Sequence, residues 1–303
     1  MSPEEFWKKY GFTVVFLILI AAAITWVMAT GRAGLEGAPE LTTVSIGLFV
    51  IIGMAAGCLG GWIGTGGCSV MLPILHFWLG FPAPLAIGTT LFAVIFTAIS
   101  GGYGHFIRRN LDGRTTLWLG GFGILGVIIG SWLFTVLSTH AALMGLILGL
   151  VFLWPAIRMI REGLAKGMPG AVQEGNSIEA PAGGLAAFGG VVGLLTGMIG
   201  LGGGYALVPG LIYLFHAPVY ITMGTSLATM VPLAVVGGVI KLAQGYVVLG
   251  AALFMASGTI VGAQIGAATI KRFKPATLKL IFGVYFLYVA IKFIGNYLGI
   301  PVW

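Results

Sequence analysis

The chain is predicted to fold as an all-α integral membrane protein: two inverted-topology helical repeats with broken or re-entrant helices at glycine-rich motifs. Three observations point there. Of its residues 58% are hydrophobic and only 8% charged, against roughly 25% charged in ordinary soluble domains. Apolar runs follow one another almost without pause, and about 20 such residues suffice to cross a bilayer. The stretch GWIGTGGCSVMLPIL at 61–75 returns as GMIGLGGGYALVPGL at 197–211. Glycine allows backbone conformations and close approaches that other residues forbid. In lipid an unwound backbone survives only where protein or a water-filled cavity satisfies it. The duplicated break is therefore the expected substrate site.

Taken in order, the apolar run from Phe12 to Met28 follows Lys8 and Lys9. It is long for a signal-peptide core and reads as an extra transmembrane helix within a leading unit, residues 1–43. The first repeat, 44–160, is expected to hold helices at 44–63, 67–80, 85–107, 116–137 and 141–160. A polar stretch rich in Gly and Glu gives a cytoplasmic linker at 161–182. The second repeat, 183–303, is expected to hold helices at 183–202, 204–216, 221–243, 247–268 and 278–298. Segments 67–80 and 204–216 are too short to cross comfortably. Each is read as the return arm of a re-entrant hairpin or the second part of a broken helix.

From Gly61–Gly104 to Gly197–Ile240 the halves align without a gap at a constant offset of 136, with about a third of positions identical. Shared residues include Gly64/Gly200, Gly66/Gly202, Gly67/Gly203, Pro73/Pro209, Pro82/Pro218, Gly88/Gly224 and Thr89/Thr225. This is a duplication. The basic loops are the N-terminus, the 105–116 loop (Arg108, Arg109, Arg114), the linker (Arg158, Arg161, Lys166) and the 271–279 loop (Lys271, Arg272, Lys274, Lys279). All four are expected in the cytoplasm, with the N-terminus there too and the protein multi-pass in the plasma membrane. The basic loop at 105–116 aligns with 241–246, which holds only Lys241. The basic side thus swaps between equivalent loops, and an odd number of crossings per repeat also demands inversion.

Net charge +7 reflects this topology and not a nucleic-acid partner. Cys58 and Cys68 lie without CxxC or metal-like spacing, so no disulfide framework and no metal site is expected. Neither glycine cluster continues into the GKS or GKT of a phosphate-binding loop, and HExxH and GxSxG are absent. No enzyme activity and no cofactor is expected. The eight acidic residues all fall in the N-terminus or in loops, whereas proton and sodium relays use acidic groups or His inside the spans. Transport is therefore expected to be uniport, or to move a proton on the substrate itself. The expected partners are a small anionic substrate, membrane lipid and a second copy in a homodimer.

The pattern G-x-x-G-x-G-G-x-x-x-x-x-P occurs twice, each time followed about fifteen residues later by a GTT or GTS triplet opening a helix. In this the chain resembles the TauE/SafE sulfite-exporter family, also called the toluene sulfonate uptake permease family, from about Ser45 to Gly299. The resemblance implies movement of small sulfur-containing or carboxylate anions such as sulfite, sulfonates and sulfoacetate, without fixing the anion or the direction. Thiosulfate or other small-anion uptake is one alternative, suggested by Cys68 where many relatives carry glycine. A channel for a small neutral solute is another.

An anion in the bilayer core needs compensation, and no Arg or Lys is expected inside the spans that meet at the repeat interface. Helix N-termini can supply it through unpaired N–H groups and about half a positive charge each. Two such ends are expected per repeat. The substrate-binding residues are then Gly66, Gly67, Cys68, Ser69, Gly202, Gly203, Gly204 and Tyr205 after the breaks, with Thr89, Thr90, Thr225 and Ser226 at the triplets. His105 and Lys241 align across the repeats and are expected to snorkel at helix ends. His76, His216, Gln244 and Gln264 are assigned packing or interfacial roles, and Trp62, beside the first break, is a possible gate.

Overall fold

The computed structural model describes residues 3–164, 177–200, 202–270 and 275–300. Expectations placed on Lys166, Lys271, Arg272 and Lys274 lie outside the described residues, as do the side chains of Lys8, Lys9 and Lys279. The described part is all-α. The helices are α1 (Pro3–Ala29), α2 (Thr43–Ile63), α3 (Cys68–Pro73), α4 (Ala83–Phe106), α5 (Gly113–Leu137), α6 (Ala141–Leu164), α7 (Ala182–Ile199), α8 (Gly204–Leu214), α9 (Val219–Ala243), α10 (Leu249–Thr269) and α11 (Pro275–Tyr297). Seven of the described helices are long and apolar enough to cross a membrane. The protein is a multi-span membrane protein.

Local chemistry sets the boundaries. Thr42 opens α2 with a capping box: its hydroxyl accepts from the Ser45 amide at 3.2 Å, and its amide donates to Ser45 Oγ at 2.8 Å. Asp112 caps α5 by accepting from the Thr115 amide at 3.0 Å. Pro82 and Pro218 precede α4 and α9 with extended backbone, so these helices start two residues earlier than hydropathy suggested. After Pro73 the chain continues as a π-helical turn, Ile74–Trp78. A ring that lacks an N–H and crowds the preceding turn favours such widening.

Glycines set the packing. α2 runs parallel to α10: Gly53 lies against Met255, Gly57 against Thr259 and Gly61 against Ala263. α5 runs parallel to α7 in the same way, with Gly189 against Leu119, Gly193 against Gly123 and Gly197 against Val127. Without a hydrophobic drive between helices in lipid, such close backbone approach supplies the association. α4 and α9 cross antiparallel, with Gly101 on Leu227 and Gly237 on Leu91. Each repeat therefore lends its helices to the other. The extra helix α1 leans on this body through Phe12, stacked 4.0 Å from Tyr103, and Phe16, 5.8 Å from Phe96.

Both short segments return. After Gly64 the chain doubles back so that Gly67 lies against Ala56, and Phe81 reaches Phe49 near the start of α2, 6.1 Å between ring centres. In the second half Gly203 lies against Val192 and Thr196, and Phe215 reaches Phe188 at 5.8 Å. Of the two options left open by length, the hairpin with a broken tip is the one observed.

Candidate functional site

α2 and α7 end at Gly64 and Gly200, both left-handed (φ 77° and 72°), whose amides donate to Gly60 and Thr196 carbonyls at 2.8 Å. Each chain then turns through a second and third left-handed glycine before helix resumes at Cys68 and Gly204. The two turns meet. A Cβ on Gly202 would sit 2.7 Å from Met230 Cε and 3.0 Å from Val94 Cγ1, and one on Gly66 would overlap the same Met230 methyl. A Cβ on Gly204 would sit 2.5 Å from Thr65 Cα. Val94 and Met230 are themselves equivalent by the offset of 136 and stand about 16 Å into α4 and α9 at 1.5 Å per residue. The breaks thus face one another halfway along the central crossing pair.

In α3 and α8 the first internal bonds are made by Val70 to Gly67 and Ala206 to Gly203, both 3.0 Å. The amides of Ser69 and Tyr205 lie ahead of those ladders and point toward the break. Cys68 is fully buried and donates from Sγ to the Thr65 carbonyl at 3.3 Å. The hydroxyls of Tyr205, Thr90, Thr222 and Thr229 are buried with no hydrogen-bond partner among the described residues. Buried hydroxyls are seldom left so. Thr222, Ser226 and Thr229 follow an i, i+4, i+7 pattern and share one stripe of α9 with Met230. The centre is the pair of breaks packed shut by Met230 and Val94, with two helix starts at it and idle hydroxyls on the α4, α8 and α9 segments that surround it.

The triplets differ from expectation. Gly88–Thr90 and Gly224–Ser226 do not open helices; they sit in the second turn of α4 and α9, because Pro82 and Pro218 start those helices earlier. Their threonines join the repeats instead. Thr89 Oγ1 accepts from the Val248 amide at 3.0 Å, and Thr225 Oγ1 accepts from the Asp112 amide at 2.9 Å. Val248 and Asp112 are the residues that precede α10 and α5. Gly88 and Gly224 leave room for the Tyr246 and Asn110 carbonyls of the same two connections. Ser226 Oγ donates to the Gly64 carbonyl at 2.8 Å, tying the stripe to the end of α2. Thr90, at the equivalent place, has no such bond. Two of the four triplet hydroxyls are thus structural acceptors, and Thr222 and Thr229 add idle buried hydroxyls to the face of α9 that carries Ser226 and Met230. The sequence carried a signal for these two in their spacing from Ser226.

Other residues sort cleanly. Trp62 donates from Nε1 to Thr269 Oγ1 at 2.8 Å, anchoring α2 to α10. His105 Nε2 lies 3.2 Å from the Gly61 carbonyl, and Gln264 donates to the Ser100 carbonyl at 2.7 Å. Neither His105 nor Lys241 snorkels. Both are fully buried, because each lies where α4 or α9 is covered by helices of the other repeat. For Lys241 this also corrects the expectation of spans free of basic residues.

A family model described as "Sulfite exporter TauE/SafE" matches residues 48–293. The probable membrane transporter protein YdhB of Bacillus subtilis is 28% identical over 77% of this chain and 93% of its own length. The probable membrane transporter protein YunE of the same organism is 26% identical over 83% of this chain and 98% of its length. The probable membrane transporter protein MJ0441 of Methanocaldococcus jannaschii is 25% identical over 77% and 89%. No solved structure matches the chain.

Proposed function

This chain belongs to the TauE/SafE sulfite exporter family and is a membrane transporter rather than an enzyme, and we propose that its cargo is a small sulfur-containing oxyanion bound between the two glycine breaks. The observation that carries this is the meeting of the two glycine breaks at Val94 and Met230, halfway along α4 and α9, with partnerless buried hydroxyls at Thr90, Thr222 and Thr229 on those two helices and at Tyr205 on α8. Oxyanions are acceptor-only ligands, and helix starts with hydroxyls are donor-only walls toward them. A neutral solute has no comparable use for two converging dipoles.

The parallel pairs α2–α10 and α5–α7 support an inverted-repeat reading, since α2 and α7 are equivalent yet enter the bundle from opposite ends. Arg108, Arg109, Arg114, Arg158 and Arg161 gather at the end where α1 begins, which favours a cytoplasmic N-terminus in the plasma membrane. Carriage then proceeds by opening the packed centre alternately to each face. No acidic residue lies in the seven described spans, so the proposal includes uniport, driven by about 2.3 kcal/mol per charge per 100 mV.

The test is flux into proteoliposomes for sulfite, sulfoacetate, thiosulfate, taurine and acetate. Saturable, mutually competing uptake of the sulfur oxyanions, responsive to membrane potential and indifferent to sodium, is expected. Non-saturable passage of neutral solutes would replace the carrier by a channel. Met230→Ala, which empties the space between the breaks, is expected to raise sulfoacetate flux relative to sulfite in the same assay.

A further inference from the structure

Lys241 lies in the last turn of α9, at the end of the bundle remote from the arginine-rich loops. Its side chain is wholly buried. The ammonium sits 3.2 Å from the centre of the Phe134 ring, and its hydrogen bond is one long contact of 3.5 Å to Gln244 Oε1. An ammonium carries three donors. No carboxylate pairs with it among the described residues, where the ion pair found is Arg158–Glu162. Gln244 in turn donates to the Ser131 carbonyl at 3.3 Å, and Ser131 Oγ is fully buried with no partner of its own. Ser131 lies against Gly197, one turn before the second break.

A buried cation facing an aromatic ring, a half-engaged amide and an idle hydroxyl has the composition of an anion seat. An uncompensated charge in a membrane interior is expensive and ordinarily marks an ion path. A merely structural lysine at a helix end would reach out to water. Position matters too. At 1.5 Å per residue, Lys241 is about 16 Å along α9 from Met230, too far to touch an anion held between the breaks.

We infer that Lys241, with Gln244 and Ser131, forms a second station for the transported oxyanion, between the central site and the face opposite the arginine-rich loops. It rests on the oxyanion reading above. The seat has one sense of charge and no counterpart at the other end, where His105 occupies the equivalent position. An anion leaving or entering by this face would exchange the central hydroxyls for the ammonium.

The experiment uses the full-length protein in detergent, with thermal unfolding followed in sulfite, sulfate, thiosulfate and chloride. Wild type is expected to gain Tm in at least one oxyanion. Lys241→Met, which removes a buried charge at nearly constant volume, is expected to unfold at higher temperature than wild type without anion, and to lose part of the anion-induced gain in Tm, the central site remaining. Lys241→Arg is expected to keep most of the anion-induced gain. An unaltered gain in Lys241→Met overturns the second station alone. A Lys241→Met protein that fails to fold, or unfolds at lower temperature, also overturns it, because the lysine then serves structure. A wild type stabilised by none of the three oxyanions overturns the oxyanion reading itself.

Discussion

Alanine at Gly67 is expected to eliminate folded protein, whereas alanine at Gly203 is expected to eliminate transport in protein that still folds. Both positions are left-handed, φ 75° and 84°, where a side chain costs about 1–2 kcal/mol. They differ in what a methyl would meet. At Gly67 it overlaps the Ala56 carbonyl, backbone in the interior of α2 that cannot yield without breaking the helix. At Gly203 it meets Val192 Cγ1 at 2.8 Å and Thr196 Oγ1 at 2.9 Å, side-chain atoms that can rotate away. Rotating Thr196 sacrifices its bond to the Val192 carbonyl (2.8 Å) and shifts the start of α8. Size-exclusion profiles and proteoliposome flux of the two variants check this together. Wild-type flux in either would remove the breaks from the mechanism.

Valine at Thr225 and at Thr89 is expected to destabilise without changing which anions are carried. Each substitution keeps the volume and removes the acceptor for a buried amide, that of Asp112 or Val248. A buried donor left unsatisfied costs about 1–3 kcal/mol. The effect at Thr225 should be the larger. Asp112 is also the N-cap of α5, accepting from Thr115 at 3.0 Å and from Ile178 at 2.7 Å, so a shifted Asp112 loosens three attachments. The two sites share no partner, and the double variant should show the sum. Unfolding temperatures of the single and double variants supply the measurement, with serine at each position as the control that restores the acceptor. Normal stability with weakened anion binding would return these hydroxyls to the substrate site.

The helices and the two breaks are legible in the sequence, because span length and the left-handed requirement of glycine clusters are local properties. The α2–α3 return is half legible: the segment 67–80 is too short to cross comfortably, but length alone does not choose between a hairpin and a broken helix. The triplets misled for a definable reason. A threonine near a helix start can cap its own helix or receive an amide from another one, and the sequence motif is the same in both cases. Here the donors, Asp112 and Val248, come from more than a hundred residues away.

Lys241 shows the same division. Its place at the end of an apolar run is what snorkelling requires, so sequence favoured exposure. Burial followed from α5 and its Phe134 lying over that end of α9, a contact between repeats that no local pattern encodes. What the sequence determined by itself was a duplicated, all-helical membrane protein with one glycine break per half, since bilayer length and backbone sterics act residue by residue. Which hydroxyls stay idle, which threonines become joints and which cation is enclosed was decided only by the tertiary structure. Those outcomes depend on how one repeat covers the other.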